Sequence, residues 1–234
     1  MLLILRTLAA ALFAAALCGC WQSTTREVLS SVLLVDGETT LDPHSGGNLV
    51  ALARNLHPGP GDAVETKGAS RAGLALLPSV LVELGPATRI KIKRLELSKD
   101  GNETGSNIRG RLAEIELSKG RIVVSHAWGE ALARFSLMTP EGEVTTPSNA
   151  LFVVDAKPER TRITCASGWL EFRPVGTTSA ARIPPGSTAE WSGTALKVTP
   201  AETDPVAQQM LQQAMESEQL LRKLLVQQGH APPR

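Results

Sequence analysis

The residue types able to do chemistry are few in this chain, and their spacings rarely converge. His44, His57 and His126 fall in separate turn or strand-end contexts, with no His-x-x-x-His and no cysteine pair to complete a zinc site. The nearest approach to a metal cluster, Asp42-Pro43-His44, reads as a polar turn. Glu114 and Glu116 could form an acid–base pair, but two positions apart on a strand they share its solvated face. The loop Gly101 to Gly105 lacks the Lys of a phosphate cradle, and no G-x-S-x-G elbow occurs. Cys165 stands beside Ile163 in a strand-like run, which favours a buried structural thiol over a nucleophile. Catalysis is therefore not expected, nor is a cofactor or a metal. Two surface features remain. Arg89, Lys91 and Lys93, with Arg94 adjacent, form a basic stripe suited to anionic headgroups or acidic polysaccharide; a solvated or edge-guarding face is the alternative. Trp128, Trp169 and Trp191 could stack on sugar rings if exposed. In a chain with 3% aromatics they are expected to fill the core.

The remaining cysteines lie near the start. Leu8 to Leu17 is an apolar run of signal-peptide length, too short to span a bilayer. It ends in Leu17-Cys18-Gly19-Cys20, which resembles the bacterial lipobox. That resemblance implies cleavage after Gly19 and a diacylglycerol thioether on Cys20. With more than one acyl chain the anchor would be firm. Cys18 would leave with the signal, so Cys165 would have no partner for an intrachain disulfide.

Composition bounds what these residues are mounted on. The 234 residues carry 24 Lys+Arg against 23 Asp+Glu, with 42% hydrophobic and 20% charged residues. Such a balance suits a globular body and argues against a nucleic-acid binder, which carries a basic excess. After a short tether at 20–26, apolar runs of strand length alternate with breakers every eight to twelve residues or so. The runs include Val28 to Val35, Arg71 to Leu77, Val80 to Leu84, Thr88 to Leu97, Arg121 to Ser125, Ala150 to Val154 and Thr161 to Cys165. Ile90 and Ile92 alternate with Arg89, Lys91 and Lys93, as a half-buried strand requires. Gly85-Pro86, Lys119-Gly120 and Pro184-Pro185-Gly186 are among the breakers. Asn48 to Leu56 fits a short helix or a strand. This rhythm predicts an all-β, two-sheet β-sandwich over 27–199, of jelly-roll type.

The texture changes at Pro200. Asp204 and Pro205 make an N-cap and first-turn pair, and no Gly or Pro follows until Gly229. An amphipathic α-helix is predicted over 204–228, with Val206, Ala207, Met210, Leu211, Ala214, Leu221, Leu224 and Leu225 on one side. Ser217 and Glu218 interrupt that stripe. The helix either covers an open face of the sandwich or docks on a partner, including a second copy, with Met210, Leu221 and Leu224 as the contact residues.

Four segments resemble the FecR periplasmic domain family. They are His57 to Ile92, with its Gly-Asp before a strand ending in Thr; LSKGRIVVSH at 117–126; Phe135 to Ala156, with Thr-Pro-x-Gly and a Phe-x-Val strand; and Thr161 to Phe172, a hairpin with a central Gly. Ser148-Asn149 and Leu77-Pro78-Ser79 depart from the family's Gly-Thr and Asp-Gly-Ser turns. In the Thr139-Pro140 turn, Pro fixes φ and Gly142 is expected to accept a positive φ. The resemblance implies a sandwich fold and a non-enzymatic module for protein interaction or signal sensing. The family's sigma-factor control is not carried over, because a lipobox stands where its spanning helix would. An envelope polysaccharide-binding lipoprotein is the alternative. The expected location is the periplasmic side of a bacterial membrane, with the outer membrane favoured. The expected partners are that membrane, through the lipid, and an envelope protein.

Overall fold

The computed structural model describes residues 24–99, 108–127, 132–147 and 149–229. The signal segment, Cys20, Trp128, Ser148 and the Gly101 to Gly105 loop lie outside the described residues. In chain order the first strands are β1 (Thr24–Glu27), β2 (Ser31–Asp36), β3 (Thr39–Asp42), β4 (Val50–Ala51), β5 (Ala63–Thr66) and β6 (Arg71–Leu77). Next come β7 (Val80–Leu84), β8 (Arg89–Lys99), β9 (Ile108–His126), β10 (Leu132–Thr139), β11 (Gly142–Thr146) and β12 (Ala150–Lys157). The last are β13 (Arg160–Ser167), β14 (Leu170–Pro174), β15 (Ala181–Ile183), β16 (Ser187–Trp191) and β17 (Leu196–Pro200), followed by a short 3-10 turn (Ala201–Thr203) and the one α-helix among the described residues, α1 (Pro205–Gln227).

The strands form two sheets that share β9. Sheet A runs β4–β3–β5–β8–β9–β10–β11–β14–β15, with β1 on the far half of β8. Sheet B runs β2–β6–β7–β9–β12–β13–β16–β17. Every pairing is antiparallel except β9 with β10. The protein is thus all-β with one C-terminal helix, as its rhythm of runs and breakers predicts.

Lys119-Gly120 does not break a strand. β9 is continuous for 19 residues and changes sheets there: Lys119 pairs with Arg89 in sheet A, and Gly120 pairs with Ala156 in sheet B. Gly120 has φ +92°, and a Cβ on it would run into Thr88. The Thr88 hydroxyl holds the corner, accepting from Arg121 N at 2.9 Å. The expected run Val28 to Val35 is likewise divided. The chain leaves sheet A after β1 and enters sheet B at β2, turning at Ser30, whose N and Oγ both donate to Pro58 O.

Between the sheets lies a core to which sheet B contributes Leu74, Val82, Val124, Phe152 and Ile163. Sheet A contributes Ile90, Ile92, Leu95, Leu117, Leu137 and Phe172. In β8 the alternation slips by one residue through a bulge between Ile92 and Arg94, which keeps Leu95 facing inward. Asn48 to Leu56 contains only the two-residue β4. Trp169 and Trp191 do not fill the core. Both are half-buried at its margin, where the Arg182 guanidinium lies 4.2 Å from the Trp169 ring centroid and Trp191 Nε1 donates to Glu141. Gly142 differs from expectation too: its φ is not positive. Glycine is required there because a Cβ would strike the Arg173 carbonyl oxygen.

Candidate functional site

Local chemistry starts α1 where expected. Asp204 Oδ1 accepts from Val206 N at 2.9 Å and Ala207 N at 3.3 Å, and Pro205 occupies the first turn. The buried stripe of α1 is Ala207, Met210, Ala214, Ser217, Leu221 and Leu225. It lies across the outward face of sheet B, against β12, β13, β9, β7, β2 and β6. Of the two sequence-level alternatives for the helix, covering an open sheet face is the arrangement the chain adopts. Met210 and Leu221 are each 1% exposed in these contacts, and Leu224 packs half-buried against the cluster that holds Leu221.

Two apolar patches floor the helix. Leu33, Ala75 and Leu81 meet Leu221 and Leu225 at its C-terminal half. Val123, Leu151 and Val153 meet Met210 and Ala214 at its N-terminal half. Gly73 lies under Leu221, and a Cβ there would collide with the Leu221 side chain. Each end of the helix is also tied. Arg162 Nη1 reaches the capping Asp204 at 3.1 Å, and Gln228 Nε2 donates to Val32 O at 3.1 Å.

A polar seam divides the patches. Ser125 Oγ donates to Glu218 Oε1 at 2.7 Å, and Arg222 closes on the same oxygen. Alongside, Glu83 of β7 faces the Ser217 hydroxyl, with Arg71 near. Glu83 is 5% exposed, and burial pushes its carboxyl above the ordinary carboxylate range, opposed by Ser217 and Arg71. Its Oε2 has no hydrogen-bond partner. A cleft of about 260 Å³ opens beside it, rimmed by Asp36, Arg71, Gln213, Glu216 and Ser217. In the sequence Glu83 stands as one residue of an apolar run. The signal available was a lone acid in Val80 to Leu84, a strand buried at every position.

The basic stripe lies elsewhere, on sheet A, and carboxylates meet it. Arg89 bonds Asp42 at 2.8 Å and Glu65 at 3.0 Å, and Lys93 approaches Glu116 at 3.5 Å. Arg94 bonds Glu96 and Glu114, while Lys91 stands opposite Glu116 in the ladder. The hydrogen bond from Lys119, ahead of that from Arg89, holds the Glu65 carboxyl below its usual value. His44, His57 and His126 are not brought together, and no metal-ligating cluster occurs among the described residues. Cys165 is fully buried, and burial pushes its thiol up to about 11.

No family model matches the sequence, and no curated protein matches it. Among solved structures, two crystal structures from Parabacteroides distasonis ATCC 8503, each described as a "putative anti-sigma factor", are similar to this chain. Each aligns with a TM-score of 0.43 at 17% identity, over 59% of this chain and 59% of the other.

Proposed function

We propose that this protein is a non-enzymatic, FecR-like module of the bacterial cell envelope that works by protein interaction or signal sensing. It is held on the periplasmic side of a membrane, the outer membrane being favoured, by lipid on Cys20. The observation that carries this reading is where the family-like segments lie. His57 to Ile92 supplies β5 to β7 and the start of β8, Leu117 to His126 the sheet B half of β9, Phe135 to Ala156 most of β10 to β12, and Thr161 to Phe172 most of β13 and the start of β14. Their distinctive residues do structural work: Gly142 and Gly168 leave room for neighbouring backbone, and Phe152 fills the core. The thiol within these segments, Cys165, is protonated and buried, a poor nucleophile. What such a scaffold offers is surface, which suits recognition.

The test is made in the bacterium that carries the protein. Radiolabelled fatty acid should label the wild-type chain and not Cys20→Ser. A photo-crosslinker at the exposed Val175 or Leu49 should yield a discrete protein adduct that weakens when Cys20→Ser removes the anchor. Unchanged labelling in Cys20→Ser would remove the lipid anchor, and protein-free crosslinking at both positions would remove the interaction role.

A further inference from the structure

Glu83 lies under the middle turns of α1, beside Ser217, and borders the cleft. Its ladder neighbours are Gly73 on β6 and Val123 on β9, neither of which offers a side-chain polar group. From α1 it meets the Ser217 hydroxyl, with Gln213 and Glu216 on the rim of the adjoining cleft. Arg71 of β6 acts on it through charge alone, its own hydrogen bond going to Asp36 of β2 at 3.0 Å. The next outward residue on β9, Ser125, is taken by Glu218, whose charge is shared with Arg222. An ionised Glu83 therefore has one hydroxyl for two oxygens, and Oε2 is left as a buried, uncompensated acceptor. A neutral carboxyl keeps its contact with Ser217 and buries no charge.

We infer that proton occupancy at Glu83 sets how firmly α1 is held on sheet B, the neutral carboxyl clamping the helix and ionisation loosening it. The cleft of about 260 Å³ borders Glu83, so proton exchange at the carboxyl needs only a local movement of α1 and no unfolding of the sandwich. The ties at Asp204 and Gln228 hold the two ends, so loosening falls on the middle turns. The sign follows from burial, which raises the docked carboxyl above its free value. Stability from the neutral form is complete below the free value and is lost as pH rises through the raised one. This strap is independent of the lipid anchor and of any partner.

The experiment is amide hydrogen exchange on the whole chain, followed from about pH 5 to about pH 8 and corrected for intrinsic exchange. Opening of residues 210–221 in the wild type should rise about tenfold or more across the range. Below the midpoint of the docked carboxyl, each tenfold fall in proton concentration raises its ionised fraction about tenfold. β12 and β13 should not follow. Glu83→Gln, a permanent neutral mimic, should stay flat at the acid level. Ser217→Ala removes the donor that favours the anion, so its rise should move to higher pH. A flat wild type, or a rise in Glu83→Gln parallel to the wild type, overturns the inference. Should Glu83→Gln fail to fold, an unmoved or acid-shifted transition in Ser217→Ala overturns it instead.

Discussion

Ser125 Oγ donates to Glu218 Oε1 at 2.7 Å across 93 residues of chain, joining the inner strand of sheet B to the middle of the C-terminal helix. The apolar stripe of α1 breaks at Ser217 and Glu218, and the sheet beneath it breaks in the same place, at Glu83 and Ser125. Apolar contacts alone would let a helix slide over a flat sheet face. A matched polar seam penalises every other register, because a one-turn slip would press Glu218 onto leucine or valine.

If the helix is part of the folding unit, charging its inner side must destabilise the whole protein. Leu221→Asp with Leu224→Asp places one carboxylate in a fully buried site and one in a half-buried site. The expected cost is about 3–5 kcal/mol, from lost apolar burial and an unpaired buried acid. Calorimetry should show one transition, lowered by roughly 10 °C for a chain of this size. An unchanged melt would mean that the helix contributes nothing to stability.

The closeness of Gly73 to Leu221 is open to a double-mutant cycle. Gly73→Ala should cost about 1–3 kcal/mol by overpacking against Leu221. Leu221→Ala alone should cost about 2–5 kcal/mol. Together they should cost less than their sum, because the added methyl occupies space that the truncation vacates. Strict additivity in urea midpoints would show that the two do not touch.

Acid stability has a second, opposite contributor on sheet A. Lys119 and Arg89 hold Glu65 below its ordinary value, so its stabilisation is present above that value and is lost as pH falls through the lowered one. Glu65→Gln should therefore flatten the acid limb of a stability–pH curve while leaving the limb above neutrality unchanged. The effect should be below about 1 kcal/mol, because the group is partly solvated. An alkaline-side change would contradict the assignment.

Cys165 is fully buried, with its thiol pushed up to about 11, so thiolate is scarce at neutral pH. In a chain carrying Cys18→Ser and Cys20→Ser, iodoacetamide should not modify the native protein over hours and should react fully in guanidinium. Rapid native labelling would mean that β13 opens, or that the thiol is accessible.

The limits of α1 were legible because caps and periodicity act between near neighbours. Asp204, Pro205 and Gly229 mark its ends, and its 3.6-residue stripe is written into the helix itself. The strands β6 and β7 were legible for the same reason, being apolar runs flanking Pro78-Ser79. Spacing also showed that the four histidines make no His-x-x-x-His pair in the sequence. What covers the helix's apolar side was not in the stripe, since a sheet face and a partner satisfy it equally. Only the fold decided between them, by leaving Leu33, Leu81, Val123 and Val153 outward on sheet B. The same holds for β9. Gly120 reads as a break until Thr88, brought beside it by β8, turns it into a corner within one strand. Glu83 carries the plainest lesson. A glutamate's type says that it prefers water, but its ionisation is governed by the dielectric and the donors around it. The burial comes first, from the helix laid over it, and the hydroxyl that opposes it is that of Ser217, on an element that only the tertiary structure places there.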